Sequence, residues 1–396
     1  MTLTSLHRRV LQTSCVPLAL GAGATIVNAQ TPDWTAVNAA AAPPARINHA
    51  MAYDSLHGVT VLFGGHGNTG LNDTWTWSSS GGWTRRLVNG PTERSHHSMA
   101  FDAARGVVVL YGGGNSSETW EWNSAGAGSW TRRALTGPTA RTSHSMVFDA
   151  ARGNCVLFGG GGVVGAFSDE TWTWDGSTWT RRLVPGPSAR NNAPMAYDAA
   201  RAVVVLFGGG TNDGSSNGET WEWDGAAWTQ RAVTGPLPRV DHTMVYDAAR
   251  SRCVIYGGSI SNGRRNETWE WDGNTWTETG LSALPGARVA HAMVYDSAQQ
   301  QTLMFAGGPS VGRPDSSFWA YSVECDRPVF TRHPLNQQAR RGAQASFLMT
   351  ATGGGTPAYL WQWLPDGALA WIDVQAGANV DPLSGDLAFQ VVNDSH

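Results

Sequence analysis

The chain has 396 residues, of which 41% are hydrophobic and only 15% charged, with 48 glycines and 20 tryptophans. Low charge with abundant glycine and aromatic residues suits many short strands and turns better than helices. The net charge of −4 at pH 7 excludes the basic footprint expected of a nucleic-acid or anionic-lipid binder.

The first 29 residues stand apart. "MTLTSLHRRV" carries Arg8 and Arg9, an apolar run follows, and "VNA" at 27–29 offers small residues for cleavage. This pattern predicts a secretory signal peptide over 1–29, a mature chain from Gln30, and a secreted or cell-envelope location. "HRRVLQ" partly resembles a twin-arginine signal, and Sec and Tat export both stay open. The mature chain has no second apolar run and is expected to carry no membrane span. Without Cys15 it keeps Cys155, Cys253 and Cys325, an odd number that argues against a disulfide framework. Cys155 and Cys253 occupy the position held elsewhere by Val109 and Val205, so they read as small buried hydrophobes.

A repeat then fills most of the chain. A strand is predicted at "HAMAYD", "HSMAFD", "HSMVFD", "APMAYD", "HTMVYD" and "HAMVYD", and each is joined by a turn to a second apolar strand such as "VVVLF". Glycine pairs follow at Gly64-Gly65, Gly112-Gly113, Gly159-Gly160, Gly208-Gly209, Gly257-Gly258 and Gly307-Gly308, spaced 48, 47, 49, 49 and 50 residues apart. After a loop come "TWTW" or "TWEW" and, past a turn, "WT". Asp175-Gly176, Asp224-Gly225 and Asp272-Gly273 predict two-residue hairpin turns with positive φ at both residues. Period-2 geometry puts the two indoles of "TWEW" on one face. There they are expected to fill the gap between stacked sheets, with strand-end carbonyls accepting their N–H groups. Six four-stranded units at this period predict an all-β, six-bladed β-propeller. The sixth repeat has "FWAY" but no following "WT", whereas Trp34 and Thr35 stand alone before the first repeat. An N-terminal strand is therefore expected to complete the last blade and close the ring.

The glycine pair after an apolar strand, followed by two spaced aromatics such as Trp77 and Trp83, resembles the kelch repeat across about 34–322. Trp in the first aromatic position departs from the usual Tyr. The resemblance implies a kelch-type propeller over 30–325. From Arg327 the cycle stops. The segment 327–396, with "RRGAQASFLMTATG", a Tyr/Trp-bearing strand at 359–363 and "GDLAFQVVND", resembles an incomplete bacterial immunoglobulin-like domain. It would serve as a spacer or adhesion module.

Candidate site residues fall into two groups. An Arg-x-x-His pattern gives Arg46, Arg94, Arg141, Arg239 and Arg288 with His49, His97, His144, His242 and His291, while Arg190 is followed by Ala193. These six arginines would form a cationic ring around one channel mouth, or else each would serve its own blade. One histidine per blade is too dispersed to share a metal within about 2.1 Å. The repeated aspartates Asp54, Asp102, Asp149, Asp198, Asp247 and Asp296 read as turn caps, and the acids before "TW" as structural. The second group lies in the variable loops after the glycines, where Phe167, Arg264 and Arg265 stand out as contacts. "TNDGSSNGE" is rich in oxygen ligands without matching a calcium loop. No cofactor or metal is implied.

The reading that follows is a monomeric binding protein for a protein or glycan. Some kelch-type propellers are copper-radical oxidases and others isomerise sialic acid, so the resemblance keeps a sugar-acting enzyme as an alternative. A structural module of an adhesin-like surface protein is another. An enzyme would need unlike residues from different blades gathered at the channel mouth; a binder would use broad loop surface.

Overall fold

The computed structural model describes residues 32–323, apart from 134–135, 163–164, 232, 281–284 and 311, together with five strands between 329 and 394. The expected signal peptide and Cys325 lie outside the described residues. Two compact units emerge: Pro32–Ser322, and a second that contains the C-terminal region from Val323. In the latter, Val329–Arg332 pairs with Thr350–Thr352, and Ala358–Trp363 pairs with both Ile372–Val374 and Gln390–Asp394. Among the described residues no helix is long and apolar enough to cross a membrane.

Pro32–Ser322 is a six-bladed β-propeller. Blade three is typical: Ser145–Asp149, Asn154–Phe158, Thr171–Trp174 and Trp179–Arg182 form one antiparallel sheet in chain order. The first strands of successive blades pack on one another from Ala50–Asp54 round to Ala292–Asp296, which returns to Ala50–Asp54. They therefore ring the axis. The sixth sheet takes its outer strand from the other end of the chain, in the order Pro32–Ala36, Phe318–Val323, Gln301–Phe305, Ala292–Asp296.

The second strands explain the continuous apolar runs. Val156 and Phe158 pack with Met195, Val204, Leu206 and Trp223 of the next blade, while Cys155 and Leu157 face Val109 and Tyr111 of the previous one. Alternate side chains thus enter different inter-blade cores, and both faces must be apolar. Cys155 and Cys253 are free and fully buried, and burial pushes both thiols up.

The tryptophans do fill the inter-blade gaps, but carbonyls are not their partners. Trp130, Trp179, Trp228, Trp276 and Trp34 each donate Nε1–H to a threonine hydroxyl of the preceding blade, at 2.9 Å in all five cases. The half-buried Trp75, Trp120, Trp172, Trp221 and Trp269 donate to the acid two residues earlier, from Asp73 to Glu267. Side chains win because the strand carbonyls are already engaged in the ladders. Where the expected threonine is Phe318, Trp83 Nε1 has no partner.

Two further expectations need correction. The Asp-Gly pairs are not two-residue turns: φ is positive only at the glycines, 95° at Gly176. The strands end at the facing pair Trp174 and Trp179, leaving a four-residue loop. Asp175 Oδ1 accepts from Ser177 N and Thr178 N, so the side chain closes the loop and Asp keeps negative φ. In the sixth repeat the equivalent pair is Ala306–Gly307, not Gly307–Gly308. Arg288 Nη1 reaches the Ala306 carbonyl just as Arg239 reaches Gly257, and Ala306 has φ 58°. Elsewhere glycine is required: a Cβ on Gly64, at φ 61°, would sit 2.7 Å from the Arg94 carbonyl of the next blade.

Candidate functional site at the axial mouth

The segment leading into each first strand holds the Arg-x-x-His pattern, and its four positions have separate tasks. The arginine is buried and spent inside its own repeat. Arg190 donates from Nε to the Ser188 carbonyl, from Nη1 to the Gly208 carbonyl and from Nη2 to Glu219 at 2.7 Å. Arg94, Arg141 and Arg239 repeat this set with Glu118, Glu170 and Glu267. Arg46 takes both oxygens of Asp73, and Arg288 takes Ser317 Oγ with Asp315 at 3.6 Å. Burial pushes the Glu219 carboxyl up, but the bonds from Arg190 and Trp221 more than offset it and leave it below the ordinary range. None of the six arginines lines the axial cavity, so they are not gathered into a cationic ring. They fasten the loop after the glycines to the entry of the first strand. We expect Arg190→Ala to cost about 3 kcal/mol or more, because it strands buried acceptors. Denaturant midpoints should fall accordingly, while Arg264→Ala, on an exposed loop, should leave them within about 0.5 kcal/mol.

The histidine is a wedge between blades. His97, His144, His242, His291 and His49 each meet an aromatic ring of the preceding blade edge-on, for example Phe63 against His97 with centroids 5.6 Å apart. Neither ring nitrogen of His49, His97, His144 or His242 has a hydrogen-bond partner of good geometry. Backbone groups of Phe63, Tyr111 and Phe207 act only weakly on His97, His144 and His242. Burial first, then the nearby arginine, holds all five well below the usual imidazole value, His144 and His291 at about 3. All five are neutral at pH 7.

The residue just before the histidine carries the site. At Asn48, His96, Ser143, Asn192, Asp241 and Ala290 the backbone is left-handed, with φ between 49° and 58°. Asn and Asp tolerate this region; it is unusual for the others, and such backbone concentrates at functional sites. The six form a hydrogen-bonded circuit from blade to blade. His96 N donates to Asn48 O, Ser143 N to His96 O, Asn192 N to Ser143 O, Ala290 N to Asp241 O and Asn48 N to Ala290 O, at 2.8–3.2 Å. Their side chains surround a cavity of about 150 Å³ on the axis, floored by the wedge histidines. Conventional ligand pockets span roughly 300–1,000 Å³, so this one suits the end of a ligand rather than a whole one.

The variable loops flank the same mouth, because the entry segments pair with them: Ile47 with His66, Thr142 with Gly161, Val240 with Ser259 and Val289 with Gly308. Arg264 is exposed in the hairpin Ser259–Ile260/Gly263–Arg264 and lies close enough to act on Asp241. Arg265 is turned to Asn262 and Glu267. Phe167 lines a separate cavity of about 270 Å³ with Arg141 and Glu170, and its amide donates to Asn212 Oδ1. The repeated aspartates cap their turns, as Asp198 does for Ala200 N and Arg201 N. Among the described residues no group of three or more His, Cys, Asp or Glu is placed to hold a metal.

The mouth residues were not among the sequence candidates. Their signal was variation inside a fixed frame, since the residue three after Arg is His in five repeats and Ala193 in the fourth, while the residue before it is Asn, His, Ser, Asn, Asp or Ala.

No protein-family model matches the chain, and no curated protein matches it. Among solved structures, "Structure of YjhT" is similar with a TM-score of 0.57 at 14% sequence identity, covering 70% of this chain and 95% of that one. At that identity the likeness speaks for fold alone, a β-propeller, and the sheets themselves show Pro32–Ser322 to be six-bladed.

Proposed function

We propose that this is an exported, kelch-type propeller that binds a glycan, holding one end of it at the axial mouth while the loops after the glycine pairs contact the rest. The observation that carries this reading is the ring of six equivalent left-handed residues with unlike side chains. A purely structural position would repeat, as the arginines do; a ligand site has to break the symmetry. Five of the six side chains are polar, and among the described residues those of Asn48, Ser143 and Asn192 make no hydrogen bond or ion pair. Amide, hydroxyl, imidazole and carboxylate groups together match a hydroxyl-rich ligand.

Two structural roles belong to the same reading. Pro32–Ala36 acts as the clasp of the ring, and the region from Arg327 is an immunoglobulin-like spacer. The signal-like segment 1–29 would deliver the mature chain to the cell envelope or beyond.

Against the oxidase alternative, Cys155 and Cys253 are buried in inter-blade cores with their thiols pushed up. The mature full-length chain, screened on a glycan array with metal content measured in parallel, should give reproducible glycan hits and sub-stoichiometric metal. An Asn48→Ala/Ser143→Ala variant should lose those hits without losing its fold. Stoichiometric copper would revive the oxidase, and no hits with pulldown of a defined protein would move the reading to protein recognition.

A further inference from the structure

The circuit around the mouth is broken at one place, and the irregularities collect in blade four. Five of its six backbone bonds are present among the described residues; the Asp241 N–H to Asn192 carbonyl bond is not. Blade four also replaces the wedge histidine by Ala193 and follows it with Pro194, so its first strand begins only at Met195. Ala193 and Pro194 line the cavity beside Asn192 and Asp241.

Asp241 is the one carboxylate lining the cavity among the described residues. Among the described residues its side chain makes no hydrogen bond or ion pair. Its side chain is half-buried; burial pushes its carboxyl up, with Arg264 opposing. The groups facing it from the other elements are neutral: Asn192 from blade four, and His242 and His291, whose imidazoles carry no charge at pH 7. Arg264, from the hairpin of blade five, is the cation that acts on it.

We infer that Asp241 and Asn192, across the open junction of blades four and five, form the specificity subsite of the mouth, and that it takes a vicinal diol from a neutral sugar. This deepens the glycan reading above and rests on it. A carboxylate has two acceptor oxygens and no donor, so adjacent hydroxyls satisfy it in a bidentate manner. The Asn192 amide and the unbonded Asp241 N–H supply the complementary donors. A cationic ligand would have to approach Arg264, which disfavours an amine. The remaining wall of neutral histidines, asparagine and serine adds hydrogen-bonding capacity without charge.

The test uses the mature full-length chain and the methyl α-glycosides of glucose, mannose and galactose, followed by saturation-transfer NMR and titration calorimetry. At least one glycoside should bind the parent chain. Asp241→Asn keeps a residue that tolerates the left-handed backbone, and it should weaken that binding about tenfold or more, as loss of charge-assisted bonds requires. A glycoside lacking one hydroxyl of the diol should discriminate poorly between the two proteins. The thermal midpoint of Asp241→Asn should match or exceed that of the parent, because a half-buried carboxylate with no hydrogen-bond donor has been replaced by a neutral amide. Equal affinity in parent and Asp241→Asn would overturn this inference while leaving the mouth as the binding site, provided Asn48→Ala/Ser143→Ala still weakens binding. No binding of any glycoside to the parent would overturn it as well, and the array result would then decide whether the glycan reading survives.

Discussion

Acidification should begin to destabilise the propeller steeply before its carboxylates titrate. The unfolded chain protonates its histidines as pH falls below 6.5, whereas the five wedge histidines resist charging in the folded state, His144 and His291 down to about 3. Across that window the unfolded state binds more protons, so stability is complete above pH 6.5 and is lost as pH falls. With five sites the slope approaches about 7 kcal/mol per pH unit, enough to exhaust a typical margin of about 5–15 kcal/mol within roughly two units. The depressed carboxyls Asp73, Glu118, Glu170, Glu219 and Glu267 have the opposite reference point. Their contribution is present above their unfolded values of 3.8 and 4.5 and is lost only below them. Between pH 6.5 and 5 the histidines therefore act almost alone. Urea midpoints followed by tryptophan fluorescence at pH 7, 6 and 5 should fall steeply, and His144→Gln should remove about one proton from the slope. Midpoints that stay level from pH 7 to 5 would show that these imidazoles are charged or solvated in the folded state.

Trp34→Ala should be the most damaging single change in the outer strands. Trp34 is 1% exposed, packs against Tyr256 and Tyr321 with ring centroids 5.0 Å away in each case, and donates Nε1–H to Thr268 Oγ1 across the blade boundary. Truncating a buried tryptophan costs about 3–5 kcal/mol, and here a threonine hydroxyl also loses its donor. If Pro32–Ala36 is the clasp of the ring, the loss extends beyond that site. Release of this strand bares the edge of Phe318–Val323 in the one blade whose strands are distant in sequence. A lower denaturant midpoint is then expected together with concentration-dependent association through the exposed edge. Trp83→Ala removes a comparable buried plate from blade one, but its indole nitrogen has no partner and its blade is continuous in sequence. It should destabilise less and should not promote association. Equal effects of the two substitutions would argue that the strand containing Trp34 has no special closing role.

The arginines and histidines together account for one limit of reading this chain as a sequence. A residue recurring in every repeat is visible at once, and its recurrence says that it serves every blade. Whether the guanidinium points to a ligand or to the Gly208 carbonyl and Glu219 depends on where the loop after the glycines folds back. That is a contact 18 and 29 residues away, and no local pattern encodes it.

Blade number and strand order within a blade were legible from spacing and period alone. Hydrophobic period fixes which faces are buried, and a repeat of about 49 residues leaves little choice of architecture. The same local rules misassigned the Asp-Gly loops, where a side-chain cap replaced a second positive φ, and the sixth glycine pair, where Ala306 accepts a left-handed backbone because the Arg288 clamp holds it. The mouth could not be seen at all from the chain. Asn48, His96, Ser143, Asn192, Asp241 and Ala290 lie roughly 50 residues apart and look like noise between a fixed Arg and, in five repeats, a fixed His. Only closure of the ring turns them toward one axis. The sequence by itself determined the blades, because burial repeats along the chain; the tertiary structure decided the site, because convergence on an axis is a property of the closed ring.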